Sequence, residues 1–135
     1  MKFKESVTYD DLLLVPQYSD IQSRSEVDIT SFLGHHELKL PIMASPMDTV
    51  SELSMAQAMS EAGGMAVIHR YNTIEEQQSI AAQFFSNSGW KGTMAAAIGV
   101  TGDFLERTEA LIAAGTNVVC IDVAHGHHIL VKKAL

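Results

Sequence analysis

Val118-Val119-Cys120-Ile121-Asp122-Val123-Ala124-His125-Gly126-His127-His128 is the stretch whose reading decides the fold. Four β-formers stop abruptly at an acid, and a histidine and a glycine follow at once. A buried strand ending in polar, backbone-permissive residues is how an α/β enzyme presents chemistry at the carboxyl end of its sheet. The same pattern occurs three times upstream, in Pro41-Ile42-Met43-Ala44, Met65-Ala66-Val67-Ile68 and Met94-Ala95-Ala96-Ala97-Ile98. All four runs lack polar alternation, which predicts parallel strands covered on both faces.

Helical signals separate the runs. Thr49-Val50-Ser51-Glu52 and Thr73-Ile74-Glu75-Glu76 both fit a capping box. Gly63, Gly89 and Gly115 stand where left-handed helix ends are expected. Leu53, Ala56, Met59 and Ala62 form one apolar stripe, and Phe104, Leu105, Ala110, Leu111 and Ile112 another. The strand starts recur roughly every 23–29 residues, and eight such units make a (β/α)8 barrel of about 250 residues. An open doubly wound sheet is the other topology for four units, but the first strand-to-helix loop lacks its Gly-rich fingerprint. The expected fold is therefore α/β: residues 1–40 as an irregular leader packing on the barrel, and residues 41–135 as the N-terminal half of a TIM (β/α)8 barrel.

Composition narrows the function classes. Of 135 residues, 47% are apolar and 19% charged, which is globular. A net charge of −7 without a basic stripe argues against nucleic acid as a partner. No apolar run approaches the ~18 residues that suggest a membrane span. One cysteine and no apolar leader segment fit a cytoplasmic protein.

The strand ends share one face and contribute Ser45-Pro46-Met47-Asp48, His69-Arg70, Gly99 and Asp122 to Gly126. Ser45 offers a neutral donor for a sugar or phosphate oxygen, and Arg70 is the one cation at the four ends, suited to an anionic substrate. Asp122 can accept two ribose hydroxyls, and Gly126 admits a flat ring close to the backbone. Structural alternatives stand beside these: Asp48 as a cap or as partner of Arg70, His69 with Arg70 as an ion pair or ring stack, Asp122 as a helix N-cap. His125, His127 and His128 have no carboxylate or thiol at ligand spacing, so no metal is expected. Cys120 reads as an inert core thiol, and Trp90 as packing across a loop. Of the seven methionines, only Met47 stands on a polar loop.

Tyr9-Asp10-Asp11-Leu12-Leu13-Leu14-Val15-Pro16 resembles the opening signature of the IMP dehydrogenase/GMP reductase family. Ser23-Arg24-Ser25-Glu26-Val27-Asp28, Leu40-Pro41-Ile42, Ala44-Ser45-Pro46-Met47-Asp48-Thr49-Val50 and Ile68-His69-Arg70 follow in the family's order, and Asp122-Val123-Ala124-His125-Gly126-His127 resembles its nicotinamide-side loop. The resemblance implies a barrel enzyme that moves hydride between a purine nucleotide and NADPH or NAD through a cysteine thioimidate. It makes Ser45, Met47 and Arg70 substrate-binding, and Asp122, Ala124, His125 and Gly126 cofactor-binding. Asp11 and Arg24 match the leader without an assigned role. The nucleophile and a monovalent cation (K+) loop belong beyond Leu135, so no catalytic residue is expected within the chain and turnover by it alone is not. The full-length protein is expected to form homo-oligomers, as tetramers.

The family's regulatory CBS pair would enter near Tyr71-Asn72, where the chain instead runs into a helix. That and the leader favour GMP reductase, NADPH-dependent deamination of GMP to IMP. Ser45-Pro46-Met47-Asp48 is closer to IMP dehydrogenase, NAD-dependent oxidation of IMP to XMP. A non-catalytic half-barrel that binds nucleotide or complements another chain is the alternative of a different class.

Overall fold

The computed structural model describes residues 3–86 and 92–135. Residues 3–30 follow an irregular path broken by two 3-10 turns, Tyr9–Asp11 and Arg24–Glu26, neither with a buried residue. Asp11 closes the first turn by accepting from the Thr8 N–H at 2.8 Å, the local role of that leader acid. An antiparallel hairpin follows, β1 (Ser31–Leu33) and β2 (His36–Leu38), joined through Gly34 at φ 60.

Four parallel strands then line up in chain order: β3 (Met43–Ala44), β4 (Met65–Ile68), β5 (Met94–Ile98) and β6 (Val118–Ile121). Helices α1 (Leu53–Glu61), α2 (Ile74–Ser86) and α3 (Phe104–Ala113) connect them, and α4 (Ile129–Ala134) follows β6. Sequential order with a helix in every crossover is the β/α repeat of a TIM barrel, here as four units. The expected doubly covered strands hold for β4 and β5, every residue of which is buried. The outer strands β3 and β6 are only partly covered. The first strand is shorter than its apolar run: Pro41 has no N–H to give a ladder, and Ile42 is exposed.

The two faces of the sheet separate cleanly by the strand period of two. Ala66, Ile68, Met94, Ala96 and Ile98 face the helices and pack with Ala56, Ala81, Phe84 and Leu111. Met65, Val67, Ala95 and Ala97 face the other way, where Leu38 of the hairpin covers them. A contact of His36 Nδ1 with Thr93 Oγ1 at 3.3 Å and the Leu40 N–H bond to Gly63 O at 3.0 Å fix the hairpin region at the amino ends of the strands. The carboxyl ends lie on the opposite rim. Phe84 has no exposed surface and sits centrally between helices and sheet. Phe84→Ala is expected to lower unfolding stability by about 3–5 kcal/mol, read as a shift in the denaturant midpoint.

The helix signals divide. The Thr73 box forms, with Thr73 N–H donating to Glu76 Oε2 (2.9 Å) and Glu76 N–H to Thr73 Oγ1 (3.2 Å). Gly63 and Gly115 adopt φ 85 and 102 as expected after α1 and α3. Gly89 and Trp90 lie outside the described residues. The box at Thr49 does not form: Thr49 takes φ 59 and α1 begins only at Leu53, with Glu52 as N-cap and no side-chain cap bond. The inward line of α3 is Phe104, Arg107 and Leu111, while Leu105 and Ile112 of the expected stripe are exposed. A largely buried arginine thus occupies a core position that an apolar pattern does not register.

Candidate functional site at the strand carboxyl ends

Two polar clusters form on that rim. The first joins the β3–α1 loop to the end of β4. His69 is buried, and its Nδ1 accepts the Tyr71 N–H at 3.2 Å. This assigns the ring proton to Nε2, which meets Glu52 Oε1 at 3.3 Å and stands 3.9 Å from Asp48 Oδ1. The His69 N–H also donates to Ser51 O at 3.4 Å, and the Ser51 hydroxyl donates to Ser45 O. Glu52 and Ser51 are therefore turned to the rim rather than to capping, which explains why the Thr49 box fails. Ser45 and Met47 are exposed on the loop so held.

The second cluster is Arg70 with Asp122. Arg70 Nε lies 3.6 Å from Asp122 Oδ2, with both side chains about one third exposed. The guanidinium passes in ordinary contact with the position a Cβ would take on Gly99, and its Cζ lies 5.6 Å from the Tyr71 ring centre. Arg70 thus spans the end of β5 to reach β6. Its Nε is buried and makes no hydrogen bond among the described residues, because Asp122 stands beyond bonding distance. Arg70 pairs with Asp122 rather than Asp48. Asp122 is not a helix cap either: α4 starts seven positions later, with His128 as its N-cap.

Ala124, His125 and Gly126 are exposed on the loop after β6, and none of the described residues would meet a Cβ on Gly126 within 4 Å. The His125 ring lies 6.5 Å from His127 and 6.3 Å from His128, edge to face. An open groove of about 490 Å³ continues from Gly126 along His128 and Lys132 of α4. Arg70 and Asp122 are not among its walls. Among the described residues no group of three or more His, Cys, Asp or Glu is arranged to hold a metal. The rim therefore brings Arg70 and Asp122 into contact and ties Ser45 to His69 through Ser51. It leaves Met47 and the Ala124–Gly126 loop projecting into solvent.

Cys120 is half-buried in β6, and burial together with the Asp122 charge pushes its thiol above the ordinary value. At neutral pH it stays protonated, which suits the core reading. Alkylation by iodoacetamide is expected to run on the order of tenfold slower than for an unhindered thiol at the same pH. Since the folded value is raised, the thiol's contribution to stability is intact below its unfolded pKa. It is lost as pH rises through the folded one, so Cys120→Ala is expected to flatten alkaline destabilisation.

Sequence reasoning missed Glu52, Tyr71, Asp103, Gln77 and Arg107. The last two are polar residues at inward helix positions, and that spacing was the one signal available.

The fold and rim define the chain as a β/α-barrel segment with polar groups gathered at the strand carboxyl ends. The family model described as IMP dehydrogenase / GMP reductase domain matches residues 6–135, and the chain belongs to that family of oxidoreductases. It is 54% identical to an inosine-5'-monophosphate dehydrogenase of Nitrosopumilus maritimus over 78 residues, 57% of this chain and 16% of that one. It is 47% identical to a GMP reductase of Leishmania donovani over 74 residues, 54% of this chain and 15% of that one. With an inosine-5'-monophosphate dehydrogenase of Cryptosporidium parvum it shares 29% identity over 97% of its own length and 42% of the relative's. The chain thus spans less than half of each of these relatives. Among the described residues no helix is long and apolar enough to cross a membrane.

Proposed function

We propose that this chain supplies the nucleotide- and cofactor-facing rim of a purine-nucleotide oxidoreductase that transfers hydride at C2 of the base. The observation that carries the reading is the Arg70–Asp122 couple: a guanidinium and a carboxylate side by side at adjoining strand ends, each partly exposed. Asp122 is suited to accept the hydroxyls of a cofactor ribose, and Arg70, with a buried Nε that donates no hydrogen bond among the described residues, to bind an anionic group. A nicotinamide cofactor fits this donor set and would supply or accept the hydride. Ser45 and Met47 would contact the nucleotide, and Ala124, His125 and Gly126 would line the cofactor side. The attacking cysteine and a potassium loop would come from outside these 135 residues.

The finer reading is GMP reductase, in which C2 gains hydride from NADPH and loses ammonia to give IMP. It rests on the leader and on residues 69–73 leading straight from β4 into α2. A second reading, oxidation of IMP by NAD and water to XMP, is favoured by Ser45-Pro46-Met47-Asp48 and the 54% identity to a dehydrogenase. Since 78 residues make 16% of that dehydrogenase and 74 make 15% of the reductase, the two names occur on chains of similar length. Length therefore does not separate the two reactions.

The test is to read the coding sequence beyond Leu135, express the whole product and follow nicotinamide absorbance with GMP and NADPH or with IMP and NAD. Turnover of one pair, with cofactor use weakened on the order of 100-fold by Asp122→Ala, is the expected result. A frame that stops at Leu135 with nucleotide still bound by calorimetry would turn the reading to a non-catalytic half-barrel. A complete frame inactive with both pairs would overturn the oxidoreductase reading. Cytoplasmic location and tetrameric assembly belong to the same proposal.

A further inference from the structure

We infer that Gln77 and Arg107 are positioning residues that set where Arg70 stands on the rim, an inference that rests on the proposed binding role of Arg70 and Asp122. Gln77 is fully buried on α2, and its Nε2 donates to His69 O at 3.1 Å and to Ala97 O at 2.9 Å. Its Oε1 accepts from Arg107 Nη1 at 2.9 Å. Arg107, 7% exposed on α3, donates through Nη2 to Asn72 O at 3.1 Å and to Asp103 Oδ2 at 2.7 Å. The backbone is thus gripped at His69 and again at Asn72, on either side of Arg70 and Tyr71. The same amide ties the end of β4 to the end of β5, across which Arg70 reaches Asp122.

Among the described residues neither Gln77 nor Arg107 hydrogen-bonds the Arg70 side chain, so their action is on the backbone that carries it. Helix packing alone does not call for this chemistry. An apolar pair would fill the space without the cost of desolvating a guanidinium and an amide. What the polar pair adds is direction, because each carbonyl must lie where a planar donor can meet it. The turn between the two grips is then free to present its side chains outward without shifting.

The experiment compares Arg107→Lys and Asp103→Asn with wild type in the full chain. Lysine keeps the charge beside Asp103 but loses the fork. Asp103 is about half exposed, so its replacement loosens the guanidinium from the surface without cutting into the core. Hydrogen exchange by mass spectrometry is read over peptides covering residues 69–73, and NADPH, NAD, GMP and IMP binding by calorimetry. Expected are about tenfold faster exchange confined to that turn for Arg107→Lys, a smaller change in the same direction for Asp103→Asn, and weaker binding of whichever ligand the wild type takes. Exchange that rises evenly over the chain, or not at all at 69–73, would overturn the inference and leave the pair as core. Absence of binding by the wild type in its complete form would refute the site reading instead, while the exchange result still decides this one.

Discussion

Met1–Leu135 on its own is expected to associate into dimers or larger species rather than remain a monomer. Among the described residues β3 pairs only with β4, and β6 only with β5, so each carries one unpaired ladder of backbone donors and acceptors. Such edges template pairing with another chain. The leader adds apolar surface: Tyr9, Leu13 and Leu14 are each more than nine-tenths exposed. Burial of one such side chain contributes about 1.5–3 kcal/mol. Three of them weigh as much as a large part of the ~5–15 kcal/mol that holds an ordinary domain together. The physical expectation is that the leader and the two edges are covered together, by strands that complete the barrel. Light scattering should report at least twice the chain mass, with dye binding to apolar surface. Co-expression with a complementary half-barrel should raise the melting midpoint by on the order of 10 °C or more. A monodisperse monomer with one cooperative transition would show that the edges and leader are tolerated as they stand.

How much of this was legible beforehand depends on the range of each interaction. β4 and β5 were legible because burial on both faces leaves an uninterrupted apolar run. β3 and β6 carry the same kind of run although they are only partly covered, and the common direction was legible because helices fill each crossover. The Thr73 box and the glycine stops at 63 and 115 were legible because capping is settled within a few residues. Thr49 misled for the opposite reason: Glu52 is drawn to His69, 17 residues away, and local capping chemistry loses to a tertiary partner. Arg107 escaped notice because its satisfaction comes from Gln77, Asn72 and Asp103 together, two of them more than 29 positions away in sequence. At the rim, the strand-end positions of Arg70 and Asp122 could be read from the runs they terminate. That the two pair with each other, across a whole strand, could not. The leader's apolar residues were legible as a family signature, but what covers them is not a property of local sequence.

Asp122→Ala is expected to weaken cofactor use on the order of 100-fold in the whole enzyme, while Arg70→Ala weakens the anionic ligand. A carboxylate holding a ribose diol makes two charge-assisted bonds at about 1.5 kcal/mol or more each, and together they account for that factor. As a surface ion pair alone, Arg70 with Asp122 would contribute only about 0–1 kcal/mol to stability, since both side chains are about one third exposed. The two roles therefore separate by magnitude. Asp122→Asn refines the test, because it keeps the shape and one acceptor but removes the charge, and should fall between wild type and alanine. If Asp122 and Arg70 serve one bound molecule, the double mutant will lose less than the sum of the single losses. Losses that add fully would assign them to separate ligands, nucleotide for Arg70 and cofactor for Asp122. Unchanged cofactor kinetics in Asp122→Ala, with a melting shift of a degree or two, would make the pair a structural tie across β5 and remove it from the site.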